Sequence, residues 1–278
     1  MNTTATPQKP DKPTGLTYGA YLEIDELLSL QKCRSTDPAT GEAEHDELLF
    51  IVIHQVYELW FKEILHELDA VIDDLGSDQI AAGGHRLKRV LTILKTLVGQ
   101  LDVLETMTPL QFASFRSFLE TSSGFQSAQF RELEYLLGMK DAEHLRFFEN
   151  SPTGLARLQK RLAEPTIWDA VAALLARTGL PVPSDVLDRD ITLPVVESPG
   201  FQEVLLDIYR NDPQLTTLCE LLTDFDEGLQ EWRYRHVKMV QRTIGTQMGT
   251  GGSDGAAYLW STVGRPTFPD LWAIRARF

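Results

Sequence analysis

The chain of 278 residues is poor in several things, and each shortage removes a class of protein. It has only two cysteines, Cys33 and Cys219, far apart in sequence. They form no CxxC pair, zinc-ligand set or CxxCH haem-attachment signature, so a disulfide-stapled miniature is excluded. Lone thiols suit a reducing compartment, and the expectation is two buried, inert cysteines in a cytoplasmic protein. Positive charge is also scarce: 26 Lys and Arg stand against 40 Asp and Glu, a formal net charge of −14. So acidic a surface repels phosphate backbones, which disfavours nucleic-acid binding. Long apolar runs are missing. Stretches such as Leu48 to Ile53 fall far short of the ~20 residues a bilayer requires, so no membrane partner is expected. Met1 to Gly15 is rich in Thr, Pro and Lys and lacks a hydrophobic signal core. Residues 1–15 therefore read as a flexible leader, and 16–278 as one domain.

Strand-like alternation and internal repeats are lacking too. What is present is enough apolar material for a sizeable core (43% of residues), arranged with helical periodicity. The segment from Asp46 to about Leu75 is too densely apolar for a single stripe and reads as a helix buried on most sides. A second helix is expected from about His85 to Glu105, with Leu87, Val90, Leu91, Leu94, Leu97, Val98 and Leu101 at spacings of three and four. Thr108, Pro109 and Gln111 provide an N-cap, a first helical residue and a capping box for a helix reaching about Glu120. Ser122-Ser123-Gly124 breaks it, and another helix follows from about Gln126 to Leu137, stopped by Gly138. Residues 139–212 read as shorter helices, including Trp168 to Arg177, with a Pro-rich surface connection or insertion from Gly179 to Gly200. Asp212-Pro213 starts the last long helix, which ends at Gly245. The expected fold is all-α: a bundle of long antiparallel helices with shorter peripheral ones.

The last long helix carries the most chemistry. Leu218, Leu222, Phe225, Leu229, Trp232, His236 and Met239 trace one apolar face, with Arg233, Arg235, Lys238 and Arg242 clustered around the histidine. Such a His236 is either a core histidine bonded to a neighbour or a proximal haem ligand with basic groups near two propionates. His54 sits in another apolar stretch, where Glu58, one turn on, could hydrogen-bond it and Phe50, one turn back, could wall a pocket. Arg116 lies among Phe112, Phe115, Phe118 and Leu119 and needs either an internal carboxylate or that of a ligand. Two ExxH triplets, Glu63 to His66 and Glu42 to His45, lack the facing-helix arrangement of a di-iron bundle and read as solvated charge. The run Gly249 to Gly255 has no Walker lysine and follows no strand, so it reads as a mobile lid with Thr250 offering a hydroxyl.

Five blocks together carry a resemblance: Thr17 to Leu22; His45 to Phe50 with His54-Gln55 and Glu58-Leu59-Trp60; Ser122 to Ser127; Trp232 to His236; and Gly249 to Ser253. In this order they resemble the tryptophan 2,3-dioxygenases. The resemblance implies a b-type haem among the long helices of a homotetramer, O2 as co-substrate and L-tryptophan cleaved across indole C2–C3 to N-formyl-L-kynurenine. It makes His236 the axial ligand of the haem iron and His54 the distal histidine facing the indole N–H. Ser123 would lie near the haem. Phe50, Phe112 and Leu119 would line the substrate pocket, Arg116 would clamp the carboxylate, and Thr250 would contact the ammonium and carboxylate. Tyr18, Tyr21 and Leu22 would complete the pocket of a neighbouring subunit. Two departures stand out: Phe112 replaces a tyrosine of some members, and Asp254 places a charge in the lid. Competing expectations are a same-fold haem oxygenase adding one oxygen atom to a modified tryptophan, a non-haem di-iron oxidase, and a non-enzymatic helical sensor.

Overall fold

The computed structural model describes residues 15–249 and 256–278, and every regular element among them is helical. After the short α1 (Tyr18–Leu22) and α2 (Ile24–Leu28), the chain enters α3 (His45–Gly76). Asp46 and Glu47 sit in its first turn, where the helix dipole favours negative charge. Glu47 is buried there and accepts hydrogen bonds from the amides of Arg34 and Ser35 (both at 2.8 Å) and from the Ser35 hydroxyl, tying residues 34–35 to the helix. Burial alone raises its pKa, but these bonds outweigh burial and hold the carboxyl below its ordinary value.

α4 (Ile80–Leu104) returns alongside α3 after the turn at residues 77–79. Tyr57 donates to the Leu97 carbonyl at 2.5 Å near one end, and Arg86 pairs with Asp74 at 2.8 Å near the other, so the two helices are antiparallel. α4 begins five residues before the expected His85, because Gly83 and Gly84 are held in the helix by packing on Leu75 and Leu221. α11 (Pro213–Ile244) has the expected ends, with Asp212 Oδ1 capping Gln214 and Leu215 and Gly245 at φ 62°.

The third pairing departs from an all-antiparallel bundle. Gly84 faces Leu221, Leu94 faces Gly228, Asp102 accepts from Arg235 at 2.5 Å and Glu105 from Arg242 at 2.9 Å. Residue numbers rise together, so α4 and α11 are parallel. The long connection over 105–212 carries the chain back before α11 starts. Gly228 allows the close approach: a Cβ there would lie 2.9 Å from Leu94 Cδ2. Because α3 opposes both partners, its N-terminal half meets the C-terminal ends of α4 and α11. That end of the bundle holds the site, while Ile64, Leu68, Val71, Leu87, Val90, Leu218 and Leu222 fill the core beyond it.

Smaller elements close that end. α5 (Pro109–Arg116) has the expected Thr108–Gln111 capping box, but it gives way to a 3-10 turn at Ser117–Leu119 rather than reaching Glu120. A 3-10 turn at Gly124–Gln126, capped by Ser123, precedes α6 (Ala128–Leu136), capped by Ser127. Next come α7 (Pro152–Leu162), α8 (Ile167–Arg177), α9 (Ser184–Leu187) and α10 (Pro199–Asn211). The Pro-rich connection between α8 and α10 lies on the surface yet is firmly held. Arg189 makes paired bonds to Asp169 (2.6 and 2.7 Å), buried Lys140 donates to the Ile191 carbonyl at 2.7 Å, and the Val195 amide donates to Gly138 at 2.9 Å. Gly138 stops α6 at φ 92°. α12 (Ala256–Val263) and α13 (Pro269–Ala273) end the chain, tied to α11 by buried Asp226, which accepts from the Thr267 amide and Trp272 Nε1 at 2.8 Å. No described helix is long and apolar enough to cross a membrane.

Candidate active site

A cavity of about 290 Å³ opens where α3, α4, α5, α6, α11 and α12 converge. His54 and His236 both line it. The His54 ring borders the open space on one side and is crowded by protein on the others; desolvation lowers its pKa. Its Nδ1 lies 2.7 Å from the Phe50 carbonyl oxygen. A carbonyl can only accept, so Nδ1 carries the proton and the neutral ring keeps Nε2 as an acceptor. Glu58, which the spacing offered as a structural partner, is bonded elsewhere: its Oε2 accepts from Gln129 Nε2 at 2.8 Å. Phe50 packs against His54 with centroids 4.0 Å apart and planes tilted by 37°, and it also meets Phe112 at 5.8 Å and Phe115 at 5.5 Å, an aromatic wall along one side.

His236 lies nearly parallel to Trp232, with centroids 5.1 Å apart and 10° between planes. Phe130 and Phe61 pack on the same indole. Burial pushes the His236 pKa down to about 4, with a smaller contribution from the His54 charge. The ring is thus neutral near pH 7 with a lone pair to give, the state a metal ligand needs.

The four cations around His236 separate in space. Only Arg233 borders the cavity, bonded to Glu134 at 3.1 Å. Arg235 and Arg242 pair with Asp102 on α4 and Glu105 just past its end, and Lys238 sits over Trp260 at 5.0 Å. Helical periodicity put them near the histidine, but their partners on α4 and α12 turn three of them away. In their place stands Arg131 on α6, buried and bonded to Glu134. It was not singled out from the sequence, because opposite charges three apart on a helix ordinarily read as a solvated pair.

The other expected residues divide. Phe112, Arg116 and Ser123 border the cavity, whereas Leu119 packs against the core and is not part of the lining. Among the described residues Arg116 pairs with no carboxylate; it donates to Gln247 Oε1 and, at 2.6 Å, to the Met248 carbonyl. Tyr18, Tyr21 and Leu22 are exposed and lie outside the cavity lining. Thr250, Asp254 and leader residues 1–14 lie outside the described residues. Cys219 is buried, its thiol pushed up to about 12 by desolvation, while Cys33 is only half-buried.

The model of the tryptophan 2,3-dioxygenase family matches residues 2–179 and 201–278, the site included. The chain belongs to the tryptophan 2,3-dioxygenase family. It is 57% identical over 261 residues to the tryptophan 2,3-dioxygenase of Herpetosiphon aurantiacus, covering 94% of this chain and 98% of that one. That of Anaeromyxobacter sp. strain K is 52% identical over 272 residues (94% and 95% covered). That of Caulobacter vibrioides is 46% identical over 266 (94% and 98% covered). The family match leaves out residues 180–200, the Pro-rich connection pinned by Arg189, Lys140 and Val195.

Proposed function

We propose that the chain is a haem-dependent dioxygenase that adds both atoms of O2 across the indole C2–C3 bond of L-tryptophan, giving N-formyl-L-kynurenine. The observation that carries this is the pair of imidazoles on one apolar cavity, His54 from α3 and His236 from α11, in a chain of this family. A neutral, aromatic-backed His236 and a mostly apolar lining fit a b-type haem, whose iron His236 would ligate. When bound, the haem supplies the electron density that lets triplet O2 react with a closed-shell indole.

The protein's own part is positioning. His54 Nε2 accepts the indole N–H while the Phe50 carbonyl holds the ring's tautomer. Phe50 and Phe112 border the cavity and would wall the indole, and Ser123, on the same lining, would help hold a bound haem. Arg116 takes the substrate carboxylate, exchanging its two carbonyl partners for a charged fork-to-fork pair. Phe112 has no hydroxyl to share that task. Thr250 completes the carboxylate and ammonium contacts. Tyr18 and Tyr21, 77% and 71% exposed, reach into a neighbouring protomer's site within a homotetramer. Two free thiols support a reducing, cytoplasmic setting.

The test is anaerobic reduction of the haem-loaded protein, then L-tryptophan and air, recording haem and product absorbance together. A Soret band and a product heavier by two oxygen atoms are expected. A product heavier by one would establish the hydroxylating alternative, which the relatives' names do not favour, and a protein that takes up no haem would end the proposal.

A further inference from the structure

Among the described residues, five charged side chains border the cavity: Arg116, Arg131, Arg233, Glu58 and Glu134. Arg116 is occupied by Gln247 and Met248, and Glu58 by Gln129. The other three form a buried cluster. Arg131 Nη1 donates to Glu134 Oε2, and Arg233 Nη2 donates to Glu134 Oε1 at 3.1 Å. Arg233 Nη1 makes only long contacts to the Thr262 and Arg265 carbonyls, at 3.3 and 3.4 Å. One carboxylate thus faces two guanidinium groups, leaving one positive charge over in an apolar wall. Arg131 is 5% exposed, and its Nε–H is buried without a hydrogen-bond partner. Phe125 and Phe130 cover its guanidinium at 5.5 and 6.0 Å, so water does not replace the missing acceptor easily. A buried excess cation with an idle N–H on a cavity wall calls for an anion inside the cavity.

We infer that Arg131, braced by Glu134 and Arg233, receives a carboxylate of a molecule held in this cavity. The inference rests on the proposed function, which brings two carboxylate sources to the site: the haem propionates and the amino-acid substrate. The propionate is the better match, because Arg233 lies one helical turn from His236 and Arg116 is already assigned to the substrate.

The experiment titrates full-length apo-protein with haemin and with haemin dimethyl ester, which lacks the propionate charges, following the Soret band. Wild type is expected to prefer the free acid, and Arg131→Met to lose about tenfold or more of that preference. The affinity ratio of L-tryptophan to tryptamine, which has no carboxylate, is expected to stay unchanged in the loaded protein. Loss of that second ratio with the haem preference intact would move the carboxylate to the substrate. Unchanged values of both ratios would overturn the inference. Circular dichroism monitors folding; should Arg131→Met not fold, Arg131→Lys keeps the charge without the Nε–H and decides by the same two ratios. A wild type that binds neither porphyrin removes the haem reading itself, a result separable from any effect of the variants.

Discussion

His54 Nδ1 lies 2.7 Å from the carbonyl oxygen of Phe50, one turn earlier on the same helix, and the two rings pack at a tilt with centroids 4.0 Å apart. One residue therefore does two things for the histidine: its backbone sets the tautomer and its side chain limits the ring's rotation. This makes His54 a fixed acceptor rather than a strong base.

His54→Ala is expected to keep its haem and to lose about 10²-fold in turnover, the cost of a lost positioning contact. His236→Ala is expected to be purified with little haem. The ratio of Soret to protein absorbance in the two variants separates the roles, and equal haem loss in both would refute the assignment.

Burial lowers the pKa of His54, so the ring stays neutral, and able to accept, as pH falls through the ordinary histidine range. The acid limb of kcat/KM should lie below the ordinary histidine value of 6.5 and should vanish in His54→Ala. An inflection above 6.5 in wild type would contradict the desolvation of this ring.

Arg116→Lys keeps the charge but loses the fork. It should raise KM for L-tryptophan by roughly tenfold or more while leaving tryptamine affinity nearly unchanged. Steady-state kinetics and binding titrations with the two compounds check this. Equal effects on both would place Arg116 away from the carboxylate.

Lys140 is buried and donates to the carbonyls of Leu162 (2.9 Å), Ile191 (2.7 Å) and Glu164, knotting three chain segments together. Lys140→Met strands those acceptors and should cost about 2–4 kcal/mol in urea unfolding. Limited proteolysis should then cut first within residues 180–200. A variant as stable as wild type would show that solvent can replace all three bonds.

Much of the fold was legible because helices are written locally. Apolar spacing marked both long helices that carry the histidines, Asp212-Pro213 and Gly245 marked the ends of α11, and Thr108 with Gln111 marked the start of α5. The start of α4 was harder, since Gly83 and Gly84 weaken the local signal and only contacts with Leu75 and Leu221 keep them helical. Within the site, His54, His236, Phe50, Phe112, Arg116 and Ser123 do meet at one cavity. Leu119 does not, because the chain tightens into a 3-10 turn after Arg116 and rotates that side chain toward the core.

By itself the sequence determined which segments are helical, which faces are apolar, and that imidazoles are embedded in two of those faces. These follow from dihedral preference and side-chain period, which act over a few residues. Only the tertiary structure decided that α11 runs parallel to α4, that Arg235 and Arg242 turn toward Asp102 and Glu105, and that Arg131 and Glu134 face the cavity instead. A charge takes its role from the partner it meets, and partners more than a hundred residues apart meet only when the helices pack.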